Sequence, residues 1–148
     1  MTSRDKRLRA GRKRSIRWHM ARPQMVMRPV LVVEDDHELA ELLREVLTYE
    51  NCLVEIAGDG MEALDKLRTA DYDAVVCDLM MPRVDGRALY EEACREFPHL
   101  ADRFLFVTGQ AAARAGLTDF IYRTNNRLLE KPFDVEVLRE AIHELLRR

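Results

Sequence analysis

The chain has 148 residues, of which 47% are apolar and 34% charged, a balance that excludes a wholly disordered chain and suits one domain with a single developed core. No run approaches the roughly 20 consecutive apolar residues that a bilayer-spanning helix needs. The net charge of −2 conceals a split: residues 1–27 carry nine Lys/Arg against one acid, Asp5, whereas residues 28–148 carry fifteen basic residues against twenty-five acids.

Residues 1–27 show no apolar periodicity and offer only Ile16, Trp18 and scattered methionines for burial, so this basic head is expected to be mostly disordered. Three readings stand side by side: an arm for nucleic acid or an acidic membrane surface, a solvated tail, or a start assigned too early, with Met25 or Met27 as the true first residue. It lacks the apolar stretch of a secretory signal. The acidic body opposes nucleic-acid binding, and Trp18 has no assigned role. Three cysteines, Cys52, Cys77 and Cys94, match neither a disulfide framework nor a zinc motif. They read as buried free thiols in a reducing compartment, which places the protein in the cytoplasm.

From Pro29 onward, strands and helices alternate. Pro29–Val33 is a continuous β-branched run of the kind buried on both faces. His37–Tyr49 places Leu39, Leu42, Leu43, Val46 and Leu47 at helical spacing. Cys52–Ala57 is a second strand; after the break at Gly58-Asp59-Gly60, Met61, Ala63, Leu64 and Leu67 form a second helical stripe. Asp73–Cys77 is a third strand, and Gly86–Phe97 a third helix with Leu89, Tyr90, Ala93, Cys94 and Phe97 inward. Arg103–Thr108 is a fourth strand, Ala111–Thr124 a weaker fourth helix and Arg127–Glu130 a short fifth strand. Asp134 stands at the N-cap of a last helix whose stripe is Val135, Leu138, Ala141, Ile142 and Leu145. This alternation predicts an α/β domain over residues 28–148, with a doubly wound parallel sheet of five strands and helices on both faces.

In such sheets, sites form outside the carboxyl ends of the strands, near a reversal of strand order. The residues at those ends are Glu34, Asp35 and Asp36 after the first strand, Asp78 after the third, Thr108 at the fourth, and Lys131 with Pro132 after the fifth. Clustered carboxylates need a cation among them, and hard oxygen donors suit Mg²⁺, which takes one or two carboxylates and keeps other positions for waters or phosphate oxygens. A carboxylate can also act as a nucleophile and form an aspartyl phosphate, a reaction that mainly requires positioning and neutralised charge. The adjacent Glu34 and Asp35 read as metal ligands, and Asp78, alone on the central strand, as the phosphoryl acceptor. The backbone carbonyl of Met80 is placed to complete the metal shell. Lys131 would supply positive charge and Thr108 a hydrogen bond.

Leu31–Asp36 (LVVEDD), Cys77–Pro82 (CDLMMP) with Asp85-Gly86, Phe106–Gly109 (FVTG) and Glu130–Phe133 (EKPF) together resemble the receiver domain of two-component response regulators, over residues 28–148. The resemblance implies a flavodoxin-like sheet of order 2-1-3-4-5, a cis bond between Lys131 and Pro132, and phosphorylation of Asp78 by the phosphohistidine of a sensor histidine kinase or a histidine phosphotransfer protein. Kinase specificity is expected on the first-helix face, and output, with a candidate homodimer, on the fourth and fifth helices and the fifth strand. The chain also resembles receivers appended to hybrid sensor kinases, which suggests a relay, and no output module is expected after Arg148.

The chain departs from the family pattern at three positions. The usual switch aromatic is replaced by Leu128, and Met80 and Gln110 occupy the positions that tune phosphate lifetime. An apolar Met80 cannot orient water, so self-dephosphorylation is expected to be slow to moderate. Several residues also have a plainer reading: Asp36 as a helix cap, Gly86 as a structural turn, Cys77 as core, and His19, His37, His99 and His143 as solvated. Two other functions compete. A Mg²⁺-dependent aspartyl-phosphate phosphatase would need an acid at Met80. A degenerate, phosphate-independent binding module sits poorly with the presence of Glu34, Asp35, Asp78, Thr108 and Lys131 together.

Overall fold

A computed structural model describes residues 26–81 and 83–148. All of the head but Val26 and Met27 lies outside them, and so does the expectation of disorder placed on it. The body contains five parallel strands, β1 (Arg28–Val33), β2 (Cys52–Ala57), β3 (Ala74–Asp78), β4 (Phe104–Thr108) and β5 (Arg127–Glu130), in the order β2-β1-β3-β4-β5. They alternate with α1 (His37–Tyr49), α2 (Gly60–Thr69), α3 (Gly86–Glu96), α4 (Gln110–Arg114) and α5 (Val135–Leu146). This is the predicted doubly wound, flavodoxin-like topology. The central strands are apolar on both sides because each side is covered: Val30, Val32, Val76, Leu105 and Val107 meet α1 and α5, while Leu31, Val33, Val75, Cys77, Phe104 and Phe106 meet α2 and α3.

The chain leaves β1 for one edge of the sheet and returns past it to β3, so the reversal of strand order falls at the β1/β3 carboxyl ends. Asp78 and Thr108 are the last residues of their strands and share the strands' rigidity. Gly86 closes this edge from the far side. A Cβ there would lie 2.6 Å from the Asp78 carbonyl oxygen and 2.7 Å from Leu79 Cα, so only glycine lets α3 begin against the end of β3. Its reading as a structural residue holds.

Several details depart from the sequence reading. The fourth helix is only Gln110–Arg114. Gly116 has φ +76°, its amide donates to the Ala113 carbonyl, and the Leu117 amide donates to that of Ala112. This paired turn ends the helix, and a short 3-10 helix, Asp119–Arg123, follows and buries Phe120 and Ile121. Leu42, Met61 and Val135 continue apolar stripes in sequence but are about half exposed, because each lies at the margin of its stripe. Cys94 is half-buried, unlike Cys52 and Cys77. Asp134 occupies the N-cap position of α5 but caps with its carbonyl, which accepts from Val137 and Leu138, and not with its side chain.

Below the site, α1 and α5 are clamped together. The carboxylate of Glu50, the C-cap of α1, accepts from Arg139 Nε at 2.7 Å and pairs with His143 Nε2 at 2.5 Å. The His143 bond first, and then Arg139, hold the Glu50 carboxyl below its ordinary value. A depressed acid contributes stability above its unfolded pKa and loses it as the pH falls through the folded value. Glu50→Gln should therefore lower stability by roughly 1–2 kcal/mol at neutral pH. In urea titrations that difference should shrink as the pH falls through the lowered folded-state value of Glu50, and a difference that does not change with pH would contradict the clamp.

Candidate functional site

The site assembles where β1, β3, β4 and β5 end. Glu34 and Asp78 are buried and Asp35 is exposed, yet one carboxylate oxygen of each lies within 4.8 Å of the other two. Asp36 stands apart from this group. Its side chain accepts from the amides of Glu38 and Leu39 and caps α1, and its own amide donates to Glu34 Oε2 at 3.1 Å. Of its two readings, the helix cap is the one the structure bears out.

Lys131 enters from β5. Its amide donates to the Thr108 carbonyl at 2.7 Å, which hooks the β5–α5 connection onto the end of β4. Its Nζ lies 3.2 Å from Asp78 Oδ2 and 3.6 Å from Glu34 Oε1. The Lys131–Pro132 bond is cis. The remaining Asp78 oxygen, Oδ1, accepts from the Met80 amide at 3.1 Å. The sequence offered no sign of this last contact, because a backbone amide leaves no trace in residue type.

Among the described residues two buried polar atoms at this edge have no hydrogen-bond partner, Glu34 Oε1, with Lys131 Nζ 3.6 Å away, and Thr108 Oγ1. Left without a partner, such atoms cost on the order of 1–3 kcal/mol each. Burial, and then the neighbouring Asp78 charge, push the Glu34 carboxyl up to about 7. Three carboxylate oxygens this close together, with the Glu34 carboxyl pushed up by burial and by Asp78, fit a hard divalent cation.

The other predicted residues lie around this centre. Met80 is half exposed beside Asp78, and Gln110 is exposed at the start of α4, where its side chain accepts from Arg114 at 3.4 Å. Leu128 is partly buried against the cluster that contains Phe106, Phe120 and Ile121. Cys77 is fully buried in the core.

A family model described as the response regulator receiver domain matches residues 30–143. The chain belongs to the response regulator receiver family. It is 38% identical over 128 residues to the response regulator MprA of Mycobacterium sp. (strain KMS), a match covering 80% of this chain and 50% of that protein. It is 32% identical over 123 residues to ArlR of Staphylococcus epidermidis, covering 82% and 54%. The chain thus spans about half the length of the curated relatives it matches. Among solved structures, a putative response regulator from Chloroflexus aurantiacus superposes with a TM-score of 0.72 at 31% identity, covering 82% of this chain and 99% of that one. TrrA of Thermotoga maritima, in complex with Mg²⁺-BeF, does so with 0.70 at 28% identity, covering 81% and 100%. The protein is accordingly a receiver domain of two-component signalling. Among the described residues no helix is long and apolar enough to cross a membrane.

Because Thr108 Oγ1 is unpartnered in the resting protein, its hydroxyl costs stability here. Thr108→Val, which keeps the shape, should raise stability by about 1 kcal/mol in urea unfolding. A loss of that size would mean that the hydroxyl is already bonded.

Proposed function

We propose that Asp78 accepts a phosphoryl group from the phosphohistidine of a sensor histidine kinase or a histidine phosphotransfer protein. An Asp78 carboxylate oxygen attacks phosphorus in line, forming the O–P bond as the N–P bond breaks. The imidazole of the donor leaves with the bonding pair. The observation that carries this reading is the Lys131–Asp78 contact of 3.2 Å beside the orphaned Thr108 hydroxyl. A cation and a free hydrogen-bond donor stand where a phosphoryl group would place its charge.

Glu34, Asp35, Asp78 and the Met80 carbonyl would hold Mg²⁺, which when bound neutralises charge on the phosphoryl oxygens. The Mg²⁺-BeF complex of TrrA, a protein of the same fold, supports this assignment. Lys131 stabilises the added negative charge, and Thr108 Oγ1 donates to a phosphoryl oxygen. The shift in hydrogen bonding at Thr108 and Lys131 is then passed to α4, β5 and α5, with Leu128 as the side chain between β5 and the Phe106 cluster. That surface would also carry a homodimer. The Met80 thioether cannot orient an attacking water, so the phosphoaspartate is long-lived compared with seconds. The same absence of an acid argues against a phosphatase that turns over outside substrates.

Acetyl phosphate with Mg²⁺, followed by intact-mass measurement, tests the assignment. The wild type should gain a single phosphoryl group of about 80 Da and Asp78→Asn none. Equal labelling of both would remove Asp78 from the role, and no labelling of either would overturn phosphorylation at this site.

A further inference from the structure

The fourth helix stops at Arg114, and beyond the Gly116 turn it is the 3-10 helix Asp119–Arg123 that packs on α3, with the Phe120 ring 6.0 Å from that of Tyr90. A cleft of about 440 Å³ is left between the start of α3 and the Gly116 turn. That is the size of a small-molecule site. Its walls are Leu79, Met80, Met81 and Leu117. Leu79 and Met81 are buried, while Met80 and Leu117 are 51% and 47% exposed. Methionine side chains adapt their shape to what they touch and make favourable sulfur contacts with aromatic rings.

Two charged side chains at the start of α3, Asp85 and Arg87, complete the lining, and they differ in what they have left to offer. The Asp85 carboxylate caps α3 by accepting from the Ala88 amide at 2.9 Å, and the partial positive charge of the helix N-terminus offsets its own. Arg87 lies over the Phe120 ring at 5.2 Å and donates through Nε to Glu91 at 3.0 Å, an exposed pair of the kind that contributes little. Its terminal nitrogens make no other hydrogen bond among the described residues. They present a planar fork that matches a carboxylate or a sulfonate. Apolar walls beside one available guanidinium suit a ring that carries a negative charge.

We propose that this cleft binds a small aromatic acid, with its ring among Met80, Met81 and Leu117 and its anionic group on Arg87. The ligand then lies against the segment that follows Asp78, where the Met80 amide donates to Asp78 Oδ1 at 3.1 Å. The cleft thus adjoins the acidic triad and differs from it in the chemistry it selects. Its occupation needs neither Mg²⁺ nor phosphorylation of Asp78.

Naphthalene sulfonate, a rigid ring system with one anionic group, is the probe. It is added to the full chain, isotope-labelled at the methionine methyls and followed by NMR, with the two signals of interest assigned through Met80→Leu and Met81→Leu. Both signals should shift saturably, with half-saturation at or below about 1 mM. The cationic counterpart, naphthylmethylamine, should bind several-fold more weakly. Arg87→Gln should abolish that preference, and Leu117→Glu should weaken the sulfonate several-fold. Both positions are exposed, so neither change opens the core. Loss of the preference for the anion is a result that a general loosening of the fold would not give. No saturation by about 10 mM would overturn the proposal, as would shifts confined to other methionines. Equal affinity for the two probes, or a preference that survives Arg87→Gln, would overturn it as well.

Discussion

Three carboxylates brought together at the end of a parallel sheet are the constraint around which the rest of this domain is arranged. Glu34, Asp35 and Asp78 repel one another, and burial of two of them raises the cost of their charge. The fold answers with Lys131, delivered by β5 and hooked in place by its own amide on the Thr108 carbonyl. Among the described residues two buried oxygens, on Glu34 and Thr108, are left without a hydrogen bond.

Rigidity is the reason the arrangement can persist. Asp78 ends β3 and Thr108 ends β4, and both strands are buried along their full length. Gly86 lets α3 start directly against the β3 terminus, which leaves the strand end no room to move. Against this fixed frame, α4 is one short turn ended by Gly116, and Leu128 offers β5 only an aliphatic contact with the aromatic cluster. The short α4, which buries only Ala112, is the element least held by the core on this side of the sheet.

Much of this was legible in the sequence, because unbroken apolar runs report strands buried on both faces and stripes of period 3.6 report helices packed on one. The five strands and the residues at their ends follow from that pattern, and the clustering of Glu34, Asp35, Asp78 and Lys131 follows from parallel topology. What escaped depended on contacts that residue type does not encode. The Met80 amide donates to the Asp78 carboxylate and the Asp36 amide to that of Glu34, and a backbone donor leaves no mark in residue type. The stop at Gly116 was present as a glycine, but the alanines before it suggested a longer helix. Leu42 and Val135 fit helical spacing and still face outward, since a stripe read from one sequence has no sharp edge.

The central claim is that the acidic triad is a divalent-cation site that also holds the reacting carboxylate. The most direct measurement is the thermal unfolding midpoint as Mg²⁺ is added near pH 8, for the wild type and for Asp35→Asn, an exposed position whose change leaves the core intact. A ligand that binds only the folded state raises the midpoint in proportion to the logarithm of its concentration above Kd. The wild type should show that rise, and Asp35→Asn should show little of it. A midpoint indifferent to Mg²⁺, or an equal rise in both proteins, would contradict the account.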